Sequence, residues 1–566
     1  MAAYTPPTEI LPIFDDFVFL ENNLPMTYNT AVKKFLRFPI AQGDETLQGI
    51  TVNGTSNFKN KIIQTITGNN VQVGDTLSYL NITTGQRNVS IGKEVCQYIT
   101  SGSQNVAIGY QAGAGINTNS NNVDIGYQAG VSLQGASCIA IGYQAGKTSQ
   151  NSNSIAIGSG AGTTSQNTNS IAIGLNTGNS TQGVSCVSIG NAAGNTTQGD
   201  NAIAIGLNAG NSLQDTNSVA IGNNAGQNQQ GNGTGSGTGA AIAIGFNAGA
   251  GIFSVGQDSN AIAIGNASGQ LTQGSSTVAI GTSAGNTSQG FNSIAIGNNA
   301  GYTTQGGSSI AIGDLAGQTT QSGEAISIGA SAGKTSQGYA AIAMGSLSGS
   351  SSQGNNCIAV GNNAGKTTQG TNSVAIGYIS GQTSQGLNDV AIGVSAGQTS
   401  QGSYAVAIGS NTAVTSQGTE SVAIGLDAGN ASQGTFSVSI GTGAGTTSQG
   451  MDCVAIGDFA GHTTQGTNCV AVGLNTGQTS QGISCVAIGD NSGSVSQATL
   501  SVAIGKEAGN TTQATKCIAI GNTSGKFLQG KGTGAGTGGA IAIGNGAGTG
   551  TALVGQDYDS IAIGTS

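Results

Sequence analysis

The side chains able to do covalent or acid–base chemistry are few and scattered: one histidine, eight cysteines and 23 carboxylates among 566 residues. Enzymatic glycan cleavage needs two or three carboxylates close together, whereas acids such as Asp314, Asp389 and Glu420 stand alone. The one histidine, His462, replaces Gln, Lys or Asn of equivalent segments and reads as a surface substitution. Seven cysteines (Cys138, Cys186, Cys357, Cys453, Cys469, Cys485 and Cys517) fall at one recurring place, just ahead of an Ile or Val, where other segments have Ser or Ala. Zinc sites use short paired spacings rather than spacings of 16, so a small buried thiol filling a Ser-sized space is the expectation. Cys453, Cys469 and Cys485 would stack about 4.8 Å apart, within Cα range for a disulfide, but parallel side chains in register have the wrong torsion for one. The tracts Gly233–Gly239 and Gly532–Gly538 look like phosphate loops, yet no Gly-Lys-Ser/Thr follows, and they read as loops bulging from a corner. The expectation is a chain that is not an enzyme, with no catalytic, metal-binding or cofactor-binding residues.

A partner-facing corner is the other candidate site. Phe291, Tyr339, Leu387, Met451 and Ile483 stand where equivalent segments have Thr, Ser or Asp. Exposed apolar groups in a line suit a partner; a corner that tolerates any residue is the alternative.

What positions all these residues is a repeat. From Val89 to Ser566 a sixteen-residue sentence recurs: (Ser or Cys)-(Ile or Val)-Ala-Ile-Gly-x-x-Ala-Gly-x-Thr-(Ser or Thr)-Gln-Gly-x-(Asn or Ser). The word Ile-Ala-Ile-Gly and its variants occur 29 times, beginning at Val89, Val106, Val123, Ile139 and Ile155 and ending at Ile561. A short fixed period predicts a solenoid in which each coil stacks on its neighbours. The fold expected is all-β: a parallel β-solenoid, or flattened β-roll, of about 29 coils. At about 4.8 Å per coil it makes a rod of roughly 140 Å. All five prolines lie before the array, as a hydrogen-bonded ladder requires. The 99 glycines and the 7% of charged residues would suit disorder, but apolar residues at fixed positions argue for a packed stack.

Within the word, large and small residues alternate and must face opposite ways in a strand. The large face is expected to fill the interior. The flat Ala/Ser face would then receive another copy, with a homotrimer as the preferred assembly. A second short strand is expected around Lys147–Gln150 and its equivalents. The nearly unvarying Gln (Gln150, Gln166, Gln182, Gln198, Gln273, Gln289) should form an amide ladder from coil to coil. The array breaks twice in the same manner, near 231–239 and 530–539, each time followed by Val-Gly-Gln-Asp, which indicates duplication of a larger block.

The first 88 residues differ in composition and hold nine of the 24 Phe and Tyr residues. They read as a small strand-rich head that caps the first coil or attaches to a particle, so the domains expected are 1–88 and 89–566. The C-terminal edge carries no evident cap, and an open edge invites end-to-end pairing. The array carries 16 acidic and 8 basic residues with no basic patch, so nucleic acid is not an expected partner. No apolar run reaches the roughly 20 residues of a spanning helix, and the N-terminus lacks the pattern of a signal peptide.

The word Asn-Ser-Ile-Ala-Ile-Gly at Asn153–Gly158 and Asn169–Gly174 resembles the head repeats of trimeric autotransporter adhesins, which implies a left-handed parallel β-roll that trimerises. This chain has a longer repeat, and no coiled-coil stalk or membrane anchor of that family's kind is expected. The segment Phe38–Gly54 and the word Ile-Ala-Ile-Gly-Tyr-Gln-Ala-Gly at Ile139–Gly146 resemble fibre-like repeat proteins of giant DNA viruses. That resemblance implies a virion or extracellular fibre made in a host cytoplasm. The function expected is thus a structural fibre or filament on a virus or particle surface, for host attachment or assembly. An adhesin head, a tailspike-like glycan-degrading enzyme and an ice-binding solenoid are the alternatives.

Overall fold

The computed structural model describes residues 26–29, 34–37, 62–65, 69–74, 84–231, 239–252, 255–530, 538–551 and 553–566. The Gly-Thr loop insertions at 232–238 and 531–537 lie outside these, as does most of the expected N-terminal head. The chain divides into two units, Met1–Thr197 and Gln198–Ser566. Both are parallel β-solenoids with a period of about 16 residues, and every described element is a β-strand.

In the first unit, β1 (Met26–Asn29) and β2 (Lys34–Arg37) form an antiparallel pair. A second antiparallel pair, β3 (Ile62–Thr65) and β4 (Asn70–Gly74), leads into the stack. β4 lies parallel to β5 (Val89–Gly92) in the register Val71↔Val89, so it occupies the edge of the first coil. Seven words follow in this unit, from Val89 to Val187, and 22 in the second, from Ile203 to Ile561. Each three-residue strand pairs with its equivalent in the next coil, as Ile294↔Ile310, Ala295↔Ala311 and Ile296↔Ile312 do. At about 4.8 Å per coil, the second unit stacks to about 100 Å.

One coil shows why the sequence closes on itself in sixteen residues. Ile294–Ile296 is extended. Gly297 then takes φ 130°, Asn299 φ 52° and Gly301 φ 54°, so the chain reverses within five residues. Thr304–Gln305 forms a two-residue strand on the opposite wall, shorter than the four to five residues the sequence suggested. Ser308, at φ 57°, turns the chain into the next word. Left-handed backbone is costly for most L-residues and least so for Gly and Asn, which explains the repeated Gly and Asn. The Gly297 position needs glycine twice over, because a Cβ there would also lie 2.5 Å from the Gly313 carbonyl oxygen of the next coil.

The expected assignment of faces is reversed. The small middle residue of the word faces the interior, and every such Ala except Ala562 of the last coil is buried, including Ala279, Ala295, Ala311, Ala391 and Ala407. The flanking Ile and Val face outward and are only half-buried. Opposite the Gln, a sixteen-residue coil leaves too little space for a branched side chain in the middle of the word; Val95, Ile99 and Ile116 are buried only in the longer first coils. The interior holds one methyl group from the word and the Gln from the opposite wall, as Ala295 and Gln305 illustrate.

Gly297→Ala is expected to destabilise the coils beside it by about 2 kcal/mol or more, from disallowed φ plus the backbone clash. Thermal unfolding and amide exchange around Ile294–Ile312 would check this; wild-type protection would contradict it.

Candidate functional site

Two candidate surfaces and one interior column organise the molecule. The interior column is the Gln row. Gln305 Nε2 donates to Ile294 O at 2.7 Å and Ser309 O at 3.4 Å, and Gln150 makes the same pair with Ile139 O and Ser154 O at 2.9 and 3.1 Å. These converging carbonyls fix the amide's orientation. The carboxamide therefore braces the two walls of its own coil. Coil-to-coil amide bonds, the expected ladder, occur as well: Gln321 to Gln337 at 3.0 Å, Gln337 to Gln353 at 3.1 Å and Gln465 to Gln481 at 3.0 Å. In many coils the Gln Oε1 is buried with no hydrogen-bond partner, as at Gln273, Gln305 and Gln401. In two coils where Ser replaces the interior Ala its hydroxyl supplies a donor, Ser327 Oγ to Gln337 Oε1 and Ser439 Oγ to Gln449 Oε1, each at 2.7 Å; Ser188 Oγ instead accepts from Gln182 Nε2 at 3.2 Å. At Asp124 the same interior place holds a carboxyl that accepts from Gln134 Nε2 at 2.5 Å; burial pushes its pKa well above the usual carboxylate range.

Beside this column runs a polar seam at the residue preceding each word. Asn70, Asn88, Asn105 and Asn122 form its start, each Oδ1 accepting the amide of the next coil at 2.7 to 2.9 Å. Further along, Ser, Cys and Ala take over, and all seven cysteines of the repeat lie here, buried and outside any disulfide. Ser373 Oγ donates to Gly386 O at 2.8 Å, and Cys453 and Cys469 Sγ donate to Gly466 O and Gly482 O at 2.6 Å. The thiols of Cys453, Cys469 and Cys485 form one cluster and behave as Ser analogues. The bond to its neighbouring thiol, then burial, raises Cys485. Cys469 is raised to about 11, chiefly by its bond with Cys453. Cys453 is lowered by its bond with Cys469. Cys96 lies outside this column among Val95, Ile99 and Ile116, where burial pushes its thiol up to about 12.

The first surface is the pair of outward Ile/Val columns. Ile and Val alternate freely there, and Met344, Val360 and Val472 also occur at the third position. The second surface is the corner after the Gln strand. Phe291, Tyr339, Leu387, Met451 and Ile483 all lie on it and are 46–59% exposed. They are whole coils apart, separated by Gly, Asn, Thr or Ser at the same position. Sequence reasoning missed Tyr404, Phe436 and Leu500, which lie one residue further on in other coils and are also exposed. They occupy the left-handed position usually given to Asn, with φ between 59° and 64°. Bulky residues there are strained, and only the coil geometry makes them noticeable.

A different corner in the first unit carries a row of rings. Tyr110, Tyr127 and Tyr143 stack with centroids 5.2 Å apart, flanked by Gln144 to Gln128 to Gln111 side-chain bonds at 3.0 and 2.8 Å. The thrice-used word Gly-Tyr-Gln-Ala-Gly was its signal in the sequence.

The scattered acids remain apart. Asp314 accepts from Asn298 Nδ2 at 2.9 Å on the exterior, Glu420 is exposed and Asp389 is buried. Asp314 lies about five coils from Asp389, roughly 24 Å along the stack. His462 packs edge-on against Phe459 at 5.1 Å. Among the described residues no group of three or more His, Cys, Asp or Glu could hold a metal ion, and no helix is long and apolar enough to cross a membrane. Comparison with known proteins found no matching family model, no matching curated protein and no matching solved structure.

Ala295→Ser should give Gln305 Oε1 a donor, as Ser327 does for Gln337, and raise stability by about 1 kcal/mol; calorimetry showing a lowered melting temperature would contradict this. Phe436→Asn should relieve left-handed strain and add about 1 kcal/mol, read as an increased denaturation midpoint.

Proposed function

We propose that this chain is a structural fibre protein, a β-solenoid shaft whose copies associate side by side, with a homotrimer as the preferred assembly. The observation that carries this reading is the outward Ile/Val pair present in coil after coil, with Ile376 and Ile456 each 37% exposed. Three-residue strands stacked over about 100 Å make an apolar strip of about 1,000 Å² in the second unit alone. Monomeric proteins rarely leave a patch of more than about 300–600 Å² uncovered, and a stable interface takes about 800 Å² from each partner. A further copy of the chain offers the same strip at the same 4.8 Å repeat, so the two surfaces match in chemistry and in period.

The setting proposed is a virus or particle surface, supported by the resemblance of Phe38–Gly54 and of the Ile-Ala-Ile-Gly-Tyr-Gln-Ala-Gly word to fibre-like viral repeat proteins. The apolar corner bearing Phe291, Tyr339, Leu387, Met451 and Ile483 is the part of such a fibre suited to meeting a host or particle component. The strained Tyr404, Phe436 and Leu500 on the same corner support that role, since apolar groups stand there against the backbone's preference.

Analytical ultracentrifugation of the full chain is expected to give a trimer, and electron microscopy to give rods. Introducing Lys at Ile294, Ile296, Ile310 and Ile312 together should shift the chain to monomers while leaving the β circular dichroism intact. A wild-type monomer at micromolar concentration would sink the reading.

A further inference from the structure

We propose that Asp389 is a pH-operated latch in the solenoid wall: as the neutral acid it donates a hydrogen bond to the next coil, and on ionising it loosens the wall at that point. Asp389 stands in the seam. Seam residues such as Asn88, Ser154, Ser170, Ser373 and Ser437 do two things, accepting the next coil's amide and donating to a carbonyl of that coil, whereas Thr277, Ser293, Ser309 and Ser421 donate to the carbonyl three residues back. Asn88 accepts from Asn105 N at 2.9 Å and donates to Gly102 O at 2.9 Å. Ser373, directly beneath Asp389, accepts from Asp389 N at 3.0 Å and donates to Gly386 O at 2.8 Å. Asp389 fulfils the first role through Oδ1, which accepts from Ala405 N at 2.9 Å. Its Oδ2 is buried with no partner. The thirteen-residue offset used by Ser373 and Cys453 directs this oxygen toward the Gly402 carbonyl, an acceptor. Only a protonated carboxyl can serve there; a carboxylate would set a charge against a carbonyl oxygen away from water.

No positive charge around the carboxyl stabilises the anion. Ser373 below and Ala405 above are uncharged, as are Gln385 and Gln401 inside and Thr371, Asn372, Asn388 and Ser403 at the corner. The one titratable ring close by in sequence, Tyr404, is 58% exposed, and Glu420 lies two coils on. Burial raises the carboxyl to about 7, with backbone amides of Ala405, Gly386 and Tyr404 opposing the rise. The folded value thus lies above that of the opened chain, about 4. The native wall holds a proton that the opened wall releases, so closure is strongest below about pH 4, weakens as pH rises to about 7, and is level above that.

Amide exchange of the full chain, followed by mass spectrometry and corrected for intrinsic rates, tests this. Between pH 5 and 7 the opening constant for peptides covering 386–406 should rise about tenfold per pH unit and level off above pH 7. Peptides around 438–464 should not follow. Asp389→Asn, which reproduces Asn88, and Asp389→Ser, which reproduces Ser373, should each abolish the slope and keep the segment closed at pH 8. A pH-independent wild type, or a slope that survives in either variant, would overturn the proposal.

Discussion

A coil that reverses direction twice in sixteen residues encloses room for little more than two Ala methyl groups, one small seam residue and one carboxamide, and that small interior governs the rest of the molecule. It demands Ala, Ser or a neutral acid in the middle of each word and Gln on the facing wall. It demands glycine where φ reaches about 130° and the next coil's carbonyl lies against the Cα. It leaves the branched side chains nowhere to go except outside. The apolar area that would form the core of an ordinary domain is therefore displayed, and only another surface could bury it.

The same constraint makes the interior polar. Each Gln ties one wall to the other through backbone carbonyls, and the adjoining seam passes a donor and an acceptor from coil to coil. Buried polar groups stabilise only when paired, and here the period supplies the pairing, because every coil brings the same group to the same height. The seam position takes Asn near the start and then Cys and Ser, which keep that exchange, or Ala, which interrupts it, as at Ala325 and Ala405. Thiols serve as hydroxyl analogues and are held mostly un-ionised, which accounts for eight cysteines without a disulfide or a metal cluster among the described residues.

Much of this was legible in the sequence. The period fixed the parallel stack, the Ile-Ala-Ile word marked the strand, and the unvarying Gln marked a second wall. Alternation alone could not say which face was inside, because a period of two separates faces without ranking them. The usual preference for branched residues inside gave the wrong answer for so narrow a coil. A subtler signal was present: the outward positions accept Ile, Val and Met344, whereas the middle position admits little beyond Ala and Ser, the narrower range expected of an enclosed site. The corner residues Phe291, Tyr339, Leu387, Met451 and Ile483 were legible because they depart from a polar position. Tyr404, Phe436 and Leu500 were not, because their oddity is conformational. The unpaired Oδ2 of Asp389 was likewise hidden until the seam placed it among donors.

The most direct test of the inverted coil is a side-chain-resolution cryo-EM map of the full chain. The account predicts the Gln305 carboxamide and Ala295 methyl enclosed within one coil, with Ile294 and Ile296 on the outside against the same columns of another copy. Density placing Ile294 and Ile296 inside the coil, with Ala295 facing out, would contradict it.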